Sequence, residues 1–399
     1  MSRWHQRLGN RLQRDFMNEV LGRIGRGIVV LAAGGTGGHL FPAQALAEAL
    51  VDRGFLIHLI TDERVADYGK SFPAIEIHIV PSTTISLSKP WLLPGRLFRL
   101  CRGVMQARAI LRSLQPDVVV GFGGYPSFPP IIAAWLLGIV SCVHDQNAVM
   151  GRANRFLSRF VEAVASSFPK LAKLPEHAKA KLVVTGNPVR GLVMAERAAP
   201  YPATGADQTF NLLVFGGSQG ASFFAEFMPK VIAELPRAIL KNLRLTQQCR
   251  PEDIKAVRTA YAALDFSFDL RPFFMDMPLR IANAHLVICR SGASTIAELG
   301  VIGRPAIMVP LPHALDNDQL RNAESFAGAG AGWIKPQAEL DPGEFAAFLT
   351  RLRYEEGELR AAAKAALNHG RPDAARRLAD LTARLAVNSV KAKLEKTKS

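Results

Sequence analysis

The chain consists of short apolar runs separated by longer segments whose apolar residues recur at helical spacing. The runs at 28–33 and 212–215 have the length and aliphatic content of strands that are buried on both faces. The segment 42–50 carries its apolar residues on a helical period. A regular succession of buried strand and helix is typical of a parallel sheet covered by helices. We therefore predict an α/β fold.

This rhythm occurs twice, and a segment rich in Pro, Gly and Ala at 197–207 separates the two occurrences. Strands are predicted at 28–33, 56–61, 75–80, 118–121, 140–144, 163–166, 212–215, 243–247, 266–270, 286–289, 306–309 and 332–334. A chain of 399 residues is also longer than one ordinary core requires. We expect two doubly wound domains that bind ligands at the carboxyl ends of their strands.

Two strands, one in each half, run into glycine-rich turns that open a helix. The first turn spans residues 34–39, with Thr36 among four glycines and His39 at its end. The second spans residues 216–220, around Ser218. Glycine lets the backbone approach a ligand closely, and the N–H groups of a helix N-terminus attract phosphate. The repeated turn predicts an anionic ligand, with the His39 imidazole beside it.

Each turn is also compatible with a second interpretation. The first resembles an incomplete dinucleotide-binding fingerprint, in which Asp62 would contact the ribose. The second satisfies the G-x-S-x-G pattern of serine hydrolases, with Ser218 as nucleophile and His285 or His313 as its base. We favour phosphate binding because it explains both turns in the same way.

A third turn, at 290–298, places Glu298 one turn inside a helix. Its carboxylate would either stabilise the helix N-terminus or accept the hydroxyl groups of a ribose. Residues 316–318 read Asp-Asn-Asp, which resembles a metal-binding DxD motif but is more typical of a helix N-cap. The four cysteines show no metal-type spacing and are expected to be buried thiols. We predict no metal site.

Charge adds a membrane surface to this picture. Hydrophobic residues make up 49% of the chain, charged residues 21%, and the net charge of +15 is concentrated in residues 1–26, 89–112 and 391–398. In the first two segments apolar residues alternate with arginines, which suits an anionic membrane better than nucleic acid. The longest apolar run, 131–143, is too short to cross a bilayer, and no signal peptide is recognisable. We predict a cytoplasmic location.

Several motifs at the predicted strand ends carry a family resemblance. They are GGTGGHLFPA at 34–43, GFGGYPS at 121–127, HDQN at 144–147, TGNPVR at 185–190, GGSQGA at 216–221, CRSGAST at 289–295 and PHALDNDQLRNA at 312–323. With these motifs the chain resembles the MurG family of GT-B glycosyltransferases, from around Gly27 to the last helix. Members of that family transfer N-acetylglucosamine (GlcNAc) from UDP-GlcNAc to a lipid-linked muramyl pentapeptide in peptidoglycan synthesis.

The resemblance implies two Rossmann-like domains whose parallel sheets face each other across a cleft. The implied divisions are a basic amphipathic arm (1–26), an acceptor- and membrane-side domain (27–196), a UDP-GlcNAc-binding domain (208–370), a helix that crosses back to the first domain (371–388) and a basic tail (389–399). The arm is longer than the family usually has, so it is either an added membrane helix or an upstream start.

The resemblance also implies roles for individual residues. His39 is the implied general base. The implied UDP-GlcNAc contacts are Thr36, Gly37, Gly38, Asn147, Arg190, Ser218, Phe274, Ala293, Ser294, Thr295, Ile296, Ala297, Glu298 and Gln319. The implied acceptor and membrane side comprises Leu92, Leu93, Phe98, Gly123, Gly124, Tyr125 and Trp135. Asp145 stands where the family usually has Glu, so we assign it no role as a base.

The implied reaction is inverting transfer of GlcNAc to the 4-hydroxyl of MurNAc in undecaprenyl-diphosphate-MurNAc-pentapeptide (lipid I), which yields lipid II. Helix N-termini and Arg190 would stabilise the leaving diphosphate without a metal ion or other cofactor. The implied partners are UDP-GlcNAc, lipid I and the anionic cytoplasmic face of the bacterial inner membrane, and no nucleic acid. A UDP-sugar transferase with another lipid acceptor is the alternative.

Overall fold

The computed structural model describes residues 27–35, 37–63, 72–83, 93–203, 205, 208–217, 221–312 and 314–398. Within these residues the chain forms two compact units. The first contains the chain up to Gln146, Met150–Pro188 and the residues from Asp373 onward, and the second contains Asn147–Val149 and Val189–Pro372. The arm at 1–26 lies outside the described residues.

The first unit is built on a parallel sheet of seven strands. They are β1 (Ile28–Ala32), β2 (Leu56–Thr61), β3 (Glu76–Ile79), β4 (Val118–Gly121), β5 (Ser141–Asp145), β6 (Ala163–Ser166) and β7 (Leu182–Val184), in the spatial order β3-β2-β1-β4-β5-β6-β7. Its main helices are α1 (Gly37–Val51), α2 (Leu93–Leu114), α3 (Phe128–Leu136), α4 (Arg152–Leu157) and the last helix of the chain, Ala374–Lys398.

Two apolar layers cover the faces of this sheet. One contains Leu31 of β1 with Leu46 of α1 and Leu378 of the last helix. The other contains Val30 of β1 with Leu111 of α2. Successive residues of β1 therefore point into opposite layers, which explains why the strand is an unbroken apolar run in the sequence.

The second unit repeats this arrangement with six parallel strands. They are β8 (Phe210–Phe215), β9 (Leu243–Gln248), β10 (Ser267–Arg271), β11 (Leu286–Cys289), β12 (Ala306–Met308) and β13 (Gly332–Ile334), in the order β10-β9-β8-β11-β12-β13. Its helices include α5 (Gly191–Ala195), α6 (Ala221–Ala233), α7 (Arg237–Leu240), α8 (Ile254–Ala262), α9 (Met277–Asn283), α10 (Ala293–Ile302), α11 (Asp318–Gly328), α12 (Pro342–Tyr354) and α13 (Glu356–His369).

All the predicted strands are confirmed to within one residue at each end, except that β8 begins at Phe210, two residues before the predicted start. The strand β7 was not predicted, because three residues at the edge of a sheet leave no hydrophobic pattern. The Arg-rich segment 103–114 is predicted to be helical, and the observed helix α2 begins earlier, at Leu93, because Pro94 and Gly95 near its start obscure the helical pattern.

Three further features differ from expectation. The units divide between Pro188 and Val189 rather than within 197–207, because Val189 and Val193 are buried in the core of the second unit. The last helix continues past residue 388 to Lys398, through most of the segment expected to be a tail. All four cysteines are free thiols, but Cys101 is exposed on α2 rather than buried. No helix within the described ranges is long and apolar enough to cross a membrane.

Candidate active site

Both glycine-rich turns lie where the strand order of their sheet reverses. In the first unit β1 pairs with β2 on one side and β4 on the other, and in the second β8 pairs with β9 and β11. Connections from the two central strands leave in opposite directions at this position, which opens a crevice for ligands at the carboxyl ends of the strands. The sheet topology therefore predicts that, in each unit, a ligand binds beside the two turns that follow the central strands.

In the first unit these are the turn after β1 and the turn after β4. The Ser127 hydroxyl lies 2.8 Å from the carbonyl oxygens of both Ala32 and Gly123, and so ties the two turns together. Gly124 has a φ of 67°, and a Cβ atom there would lie 3.4 Å from Nε2 of His39. Glycine at this position therefore allows the main chain to pass beside the His39 ring.

His39 is the first member of a chain of hydrogen bonds. Its Nδ1 lies 3.0 Å from Oε1 of Gln146, whose Nε2 lies 3.0 Å from Nδ1 of His144. Nε2 of His144 lies 3.0 Å from the carbonyl oxygen of Gly186. His144 and Gln146 are buried at the end of β5.

This chain determines where the protons are. The Gly186 carbonyl can only accept, so Nε2 of His144 carries a proton and its Nδ1 accepts from the Gln146 amide. The Gln146 oxygen then accepts from Nδ1 of His39, so that in the neutral ring the lone pair is on Nε2. Burial lowers the pKa of His144 to about 4, so this imidazole is neutral near pH 7.

Two acidic residues near this site bind the main chain. The Asp145 carboxylate accepts from the Gly151 main-chain N–H at 2.9 Å and from the Asn154 amide at 3.0 Å. Asp62 lies 3.4 Å from the N–H of Gly35 and is buried. Asp145 therefore shapes the loop after β5, and Asp62 holds the glycine turn, which argues against the dinucleotide-binding interpretation.

In the second unit, the turn after β11 leads into α10. Ser291 donates a hydrogen bond from its hydroxyl to the Gln319 carbonyl at 2.8 Å, and Gly292 is the N-cap residue of α10. Arg290 is buried, lies over the rings of Phe223 and Phe224, and donates to the carbonyl oxygens of residues 309 and 310 at 3.0 and 3.2 Å. These contacts fix the turn at the N-terminus of α10. The first main-chain N–H groups of that helix are directed towards the turn.

A charged pair lies beside the first turns of α10. Nη2 of Arg190 is 3.5 Å from Oε1 of Glu298, and their side chains are only 20% and 12% exposed. Burial raises the pKa of Glu298 above its ordinary value, and the Arg190 guanidinium partly opposes that shift. The contact is long for a charged hydrogen bond.

Asn147 and Gln319 are held near the same turn. The buried Asn322 donates to Oδ1 of Asn147 at 2.9 Å and to the Ser291 carbonyl at 3.1 Å. Oε1 of Gln319 accepts from the Leu311 main-chain N–H at 3.0 Å, which leaves its amide nitrogen to donate. The Asp318 carboxylate binds the Gln319 N–H at 2.8 Å, whereas Asn317, at the N-cap position, makes no side-chain cap.

Other predicted donor-site residues have different environments. Phe274 is buried and lies 4.1 Å below the Arg280 guanidinium, so only part of its ring could meet a base. Ala293 and Ile296 are buried, whereas Ser294, Thr295 and Ala297 are partly exposed. Ile296 packs into the core, so it could contact a ligand only through its main chain. Gly37 and Gly38 form the first turn of α1. Thr36 and Ser218 lie outside the described residues.

The contacts of His285 exclude this residue as the base of a serine hydrolase. Its Nδ1 accepts from the Asn211 main-chain N–H at 3.0 Å, and its Nε2 bonds the Ala203 carbonyl at 2.9 Å. Asn211 is near the start of β8, at the opposite end of the strand from the Ser218 turn. Both nitrogens are therefore engaged far from that turn, and His285 cannot be the base of Ser218. His313 lies outside the described residues.

Comparison with protein families decides the class of this protein. The model of the glycosyltransferase family 28 N-terminal domain matches residues 29–166, and that of the glycosyltransferase family 28 C-terminal domain matches residues 211–378. The chain belongs to glycosyltransferase family 28. This protein is therefore a hexosyltransferase, and its two parallel sheets are those of the GT-B fold.

Named relatives cover nearly the whole family 28 chain. A Rhizobium johnstonii protein called UDP-N-acetylglucosamine--N-acetylmuramyl-(pentapeptide) pyrophosphoryl-undecaprenol N-acetylglucosamine transferase is 48% identical over 94% of this chain and 100% of its own. A Mesorhizobium japonicum protein of the same name is 50% identical over 90% of this chain and 96% of its own. The crystal structure of Acinetobacter baumannii MurG matches with a TM-score of 0.72 and 30% identity, over 90% of this chain and 99% of that one.

Three residues that hold the candidate site together, His144, Gln146 and Asn322, were not predicted from the sequence. His144 and Gln146 lie in the HDQN motif, but their link to His39 depends on the pairing of strands that are distant in sequence. Asn322 lies in the PHALDNDQLRNA motif, and only its complete burial shows that its amide holds two other segments. A buried amide or imidazole in a motif at a strand end is the signal that could have identified them.

The residues expected on the acceptor and membrane side lie in two regions of the first unit. Gly123, Gly124 and Tyr125 form the turn beside His39. Phe98 on α2 and Trp135 on α3 are 73% and 51% exposed. Leu93 begins α2, and Leu92 lies outside the described residues.

Proposed function

We propose that this protein transfers GlcNAc from UDP-GlcNAc to the 4-hydroxyl of MurNAc in undecaprenyl-diphosphate-MurNAc-pentapeptide, making lipid II with inversion at the anomeric carbon. The observation that carries this proposal is the hydrogen-bond chain that leaves a lone pair on Nε2 of His39, beside the glycine turn after β4. Relatives named for this reaction are aligned over most of the chain.

His39 acts as the general base in this proposal. The acceptor hydroxyl donates a hydrogen bond to Nε2 of His39 and gives up its proton as its oxygen attacks the anomeric carbon. The resulting imidazolium is stabilised by the Gln146 carbonyl at Nδ1. An amide does not pass protons on readily, so Gln146 and His144 orient the ring and carry no proton away.

The second unit stabilises the leaving group. Charge grows on the diphosphate as the glycosidic bond to UDP breaks. The N–H groups at the start of α10, the turn after β8 and the Arg190 guanidinium supply positive potential for that charge. Glu298 accepts the ribose hydroxyls, and the Gln319 amide donates to the sugar.

The first unit also docks on the membrane in this proposal. Large apolar side chains on α2, α3 and α4 are exposed, namely Leu97, Phe98, Met105, Trp135, Leu136 and Phe156. Exposed arginines at 99, 102, 108 and 112 lie on α2 among them. Such a surface suits the anionic cytoplasmic face of the bacterial inner membrane, where the lipid acceptor is located.

An acceptor assay tests the reaction. We expect the protein to release UDP from UDP-GlcNAc when lipid I is present, with the same rate in EDTA, and to release none without acceptor. Turnover on a diacylglycerol but not on lipid I would assign the protein to the alternative lipid acceptor. Covalent labelling of Ser218 by a fluorophosphonate would instead support the hydrolase.

A further inference from the structure

Two histidines and a glutamate converge on the sheet edge of the first unit. His58 lies in β2, and Glu76 and His78 lie in the edge strand β3, with His58 paired to Glu76 and Ile60 to His78. Alternation along each strand places these three side chains on one face. One ligand atom from each of the three lies within 4.8 Å of those from the others.

The distances suit a tetrahedral metal ion. Nδ1 of His58 is 3.3 Å from Nε2 of His78, which is 3.6 Å from Oε2 of Glu76. Two ligands bound at 2.0–2.1 Å to a tetrahedral ion are separated by about 3.3–3.4 Å. The two ring nitrogens share a hydrogen bond between nearly parallel rings, at 16°, and a bound ion would replace that hydrogen bond.

The cluster is anchored on one side and open on the other. His58 is 7% exposed and the His78 side chain 14%, whereas the Glu76 side chain is 61% exposed. The two histidines, which are largely buried, would hold the ion in place. Glu76 is exposed, so the ion would enter from solvent on its side. Three protein ligands leave a fourth position for water. None of the three residues belongs to the hydrogen-bond chain of His39.

We propose that His58, Glu76 and His78 bind one Zn²⁺ or a similar late first-row divalent ion, which fastens the edge strand β3 to β2. Imidazole and carboxylate ligands in tetrahedral geometry favour such ions over Mg²⁺ or Ca²⁺. The sequence shows no metal-type spacing because the ligands come from two strands that pair in the sheet. The site is structural and takes no part in glycosyl transfer.

Calorimetry with ZnCl₂ on the untagged, EDTA-treated full chain tests the site. We expect one Zn²⁺ per chain and a higher melting temperature with Zn²⁺. His78→Ala and Glu76→Gln each remove a ligand, so each should weaken Zn²⁺ binding by more than the roughly 10–100-fold typical of losing a group that only supports a ligand. His177→Ala is the control, because it removes an exposed imidazole that only contacts the Ser158 hydroxyl.

Three results would overturn the site. They are no Zn²⁺ binding by the unmodified chain, binding that survives both substitutions, or equal loss in the His177→Ala control. Because Glu76 is mostly exposed, Glu76→Gln should fold even if His78→Ala does not, and circular dichroism checks both. The melting temperature provides a readout independent of turnover, so an inactive enzyme would leave this test intact.

Discussion

The turn that carries His39 follows the strand β1 and the turn that opens α10 follows β11, which pairs with the central strand β8, and different contacts hold the two turns. The His39 ring is held by hydrogen bonds between neutral groups, through Gln146 and His144 to a main-chain carbonyl, and the main chain of its turn is held by Asp62. Around α10 they involve formal charges, from the buried Arg290 and from the Arg190–Glu298 pair. Two strand-turn-helix units, one in each sheet, are therefore stabilised in different ways.

The difference matches two chemical tasks. A general base near neutral pH must keep its lone pair, and neutral neighbours do not force a proton onto it. A diphosphate carries negative charge, so its site needs cationic and dipolar groups. The charges around a glycine-rich turn therefore determine whether it suits a general base or a diphosphate.

Of the substitutions that test this difference, removal of the His39 imidazole should have the largest effect, a loss of kcat. His39→Ala is expected to lower kcat by about 10²–10⁴-fold, because the acceptor hydroxyl loses its base. Binding of UDP-GlcNAc should change little, as followed by calorimetry. His177→Ala should retain full turnover. A normal kcat for His39→Ala would show that the neutral turn has no role in proton transfer.

The neutral state of His144 should appear in the pH dependence of stability. Its pKa is about 4 when folded, against an ordinary 6.5. Between those pH values the unfolded chain binds a proton that the folded chain excludes, so acid destabilises the fold. The free energy of unfolding should fall by up to about 3 kcal/mol as pH drops through this window.

His144→Asn should lose this contribution, so its unfolding free energy should depend less on pH between 6.5 and 4. Denaturant titrations at several pH values measure the difference between the two proteins. Identical pH dependence in both would mean that His144 is protonated in the folded state, and the neutral hydrogen-bond chain would then be wrong.

Substitution in the charged region should affect binding rather than chemistry first. Arg190→Gln removes a cation from the proposed donor site and leaves Glu298 buried without this partner. We expect KM for UDP-GlcNAc to rise about 10–100-fold, the effect of a lost charged hydrogen bond. Arg321→Gln, which breaks an exposed ion pair in the same unit, is the control. An unchanged KM would remove Arg190 from the donor site.

The smallest effect is expected on the exposed apolar surface. The double substitution Phe98→Ser and Trp135→Ser should weaken binding to anionic vesicles about 10-fold, with turnover on detergent-solubilised acceptor unchanged. Leu192→Ser, at a residue 63% exposed in the second unit, is the matched control. Equal vesicle binding by all three proteins would place the membrane contact elsewhere.

Much of the fold was predictable because its signals are local. The buried strands are continuous apolar runs, and the glycines of the turn after β4 need the positive φ values that the structure has. The edge strand β7 and the start of α2 were missed because each lacks a clear hydrophobic pattern.

The candidate site was less predictable because its contacts join distant segments. His39 could be singled out from its turn, but its link to Gln146 spans 107 residues. Asn322 holds Ala148 across 174 residues. Such contacts follow from the order of strands in a sheet, which a single sequence does not reveal. The convergence of His58, Glu76 and His78 follows from strand pairing as well, so the sequence did not reveal it.

The pH dependence of kcat in Gln146→Glu tests the central claim, that a neutral amide leaves Nε2 of His39 as the proton acceptor. A carboxylate at this position favours the protonated imidazole, so the acid limb of the profile should move to higher pH than in the unmodified enzyme. Gln146→Leu, which removes the acceptor without adding charge, should lower kcat without that shift. An acid limb that stays in place in a folded Gln146→Glu protein would contradict the account.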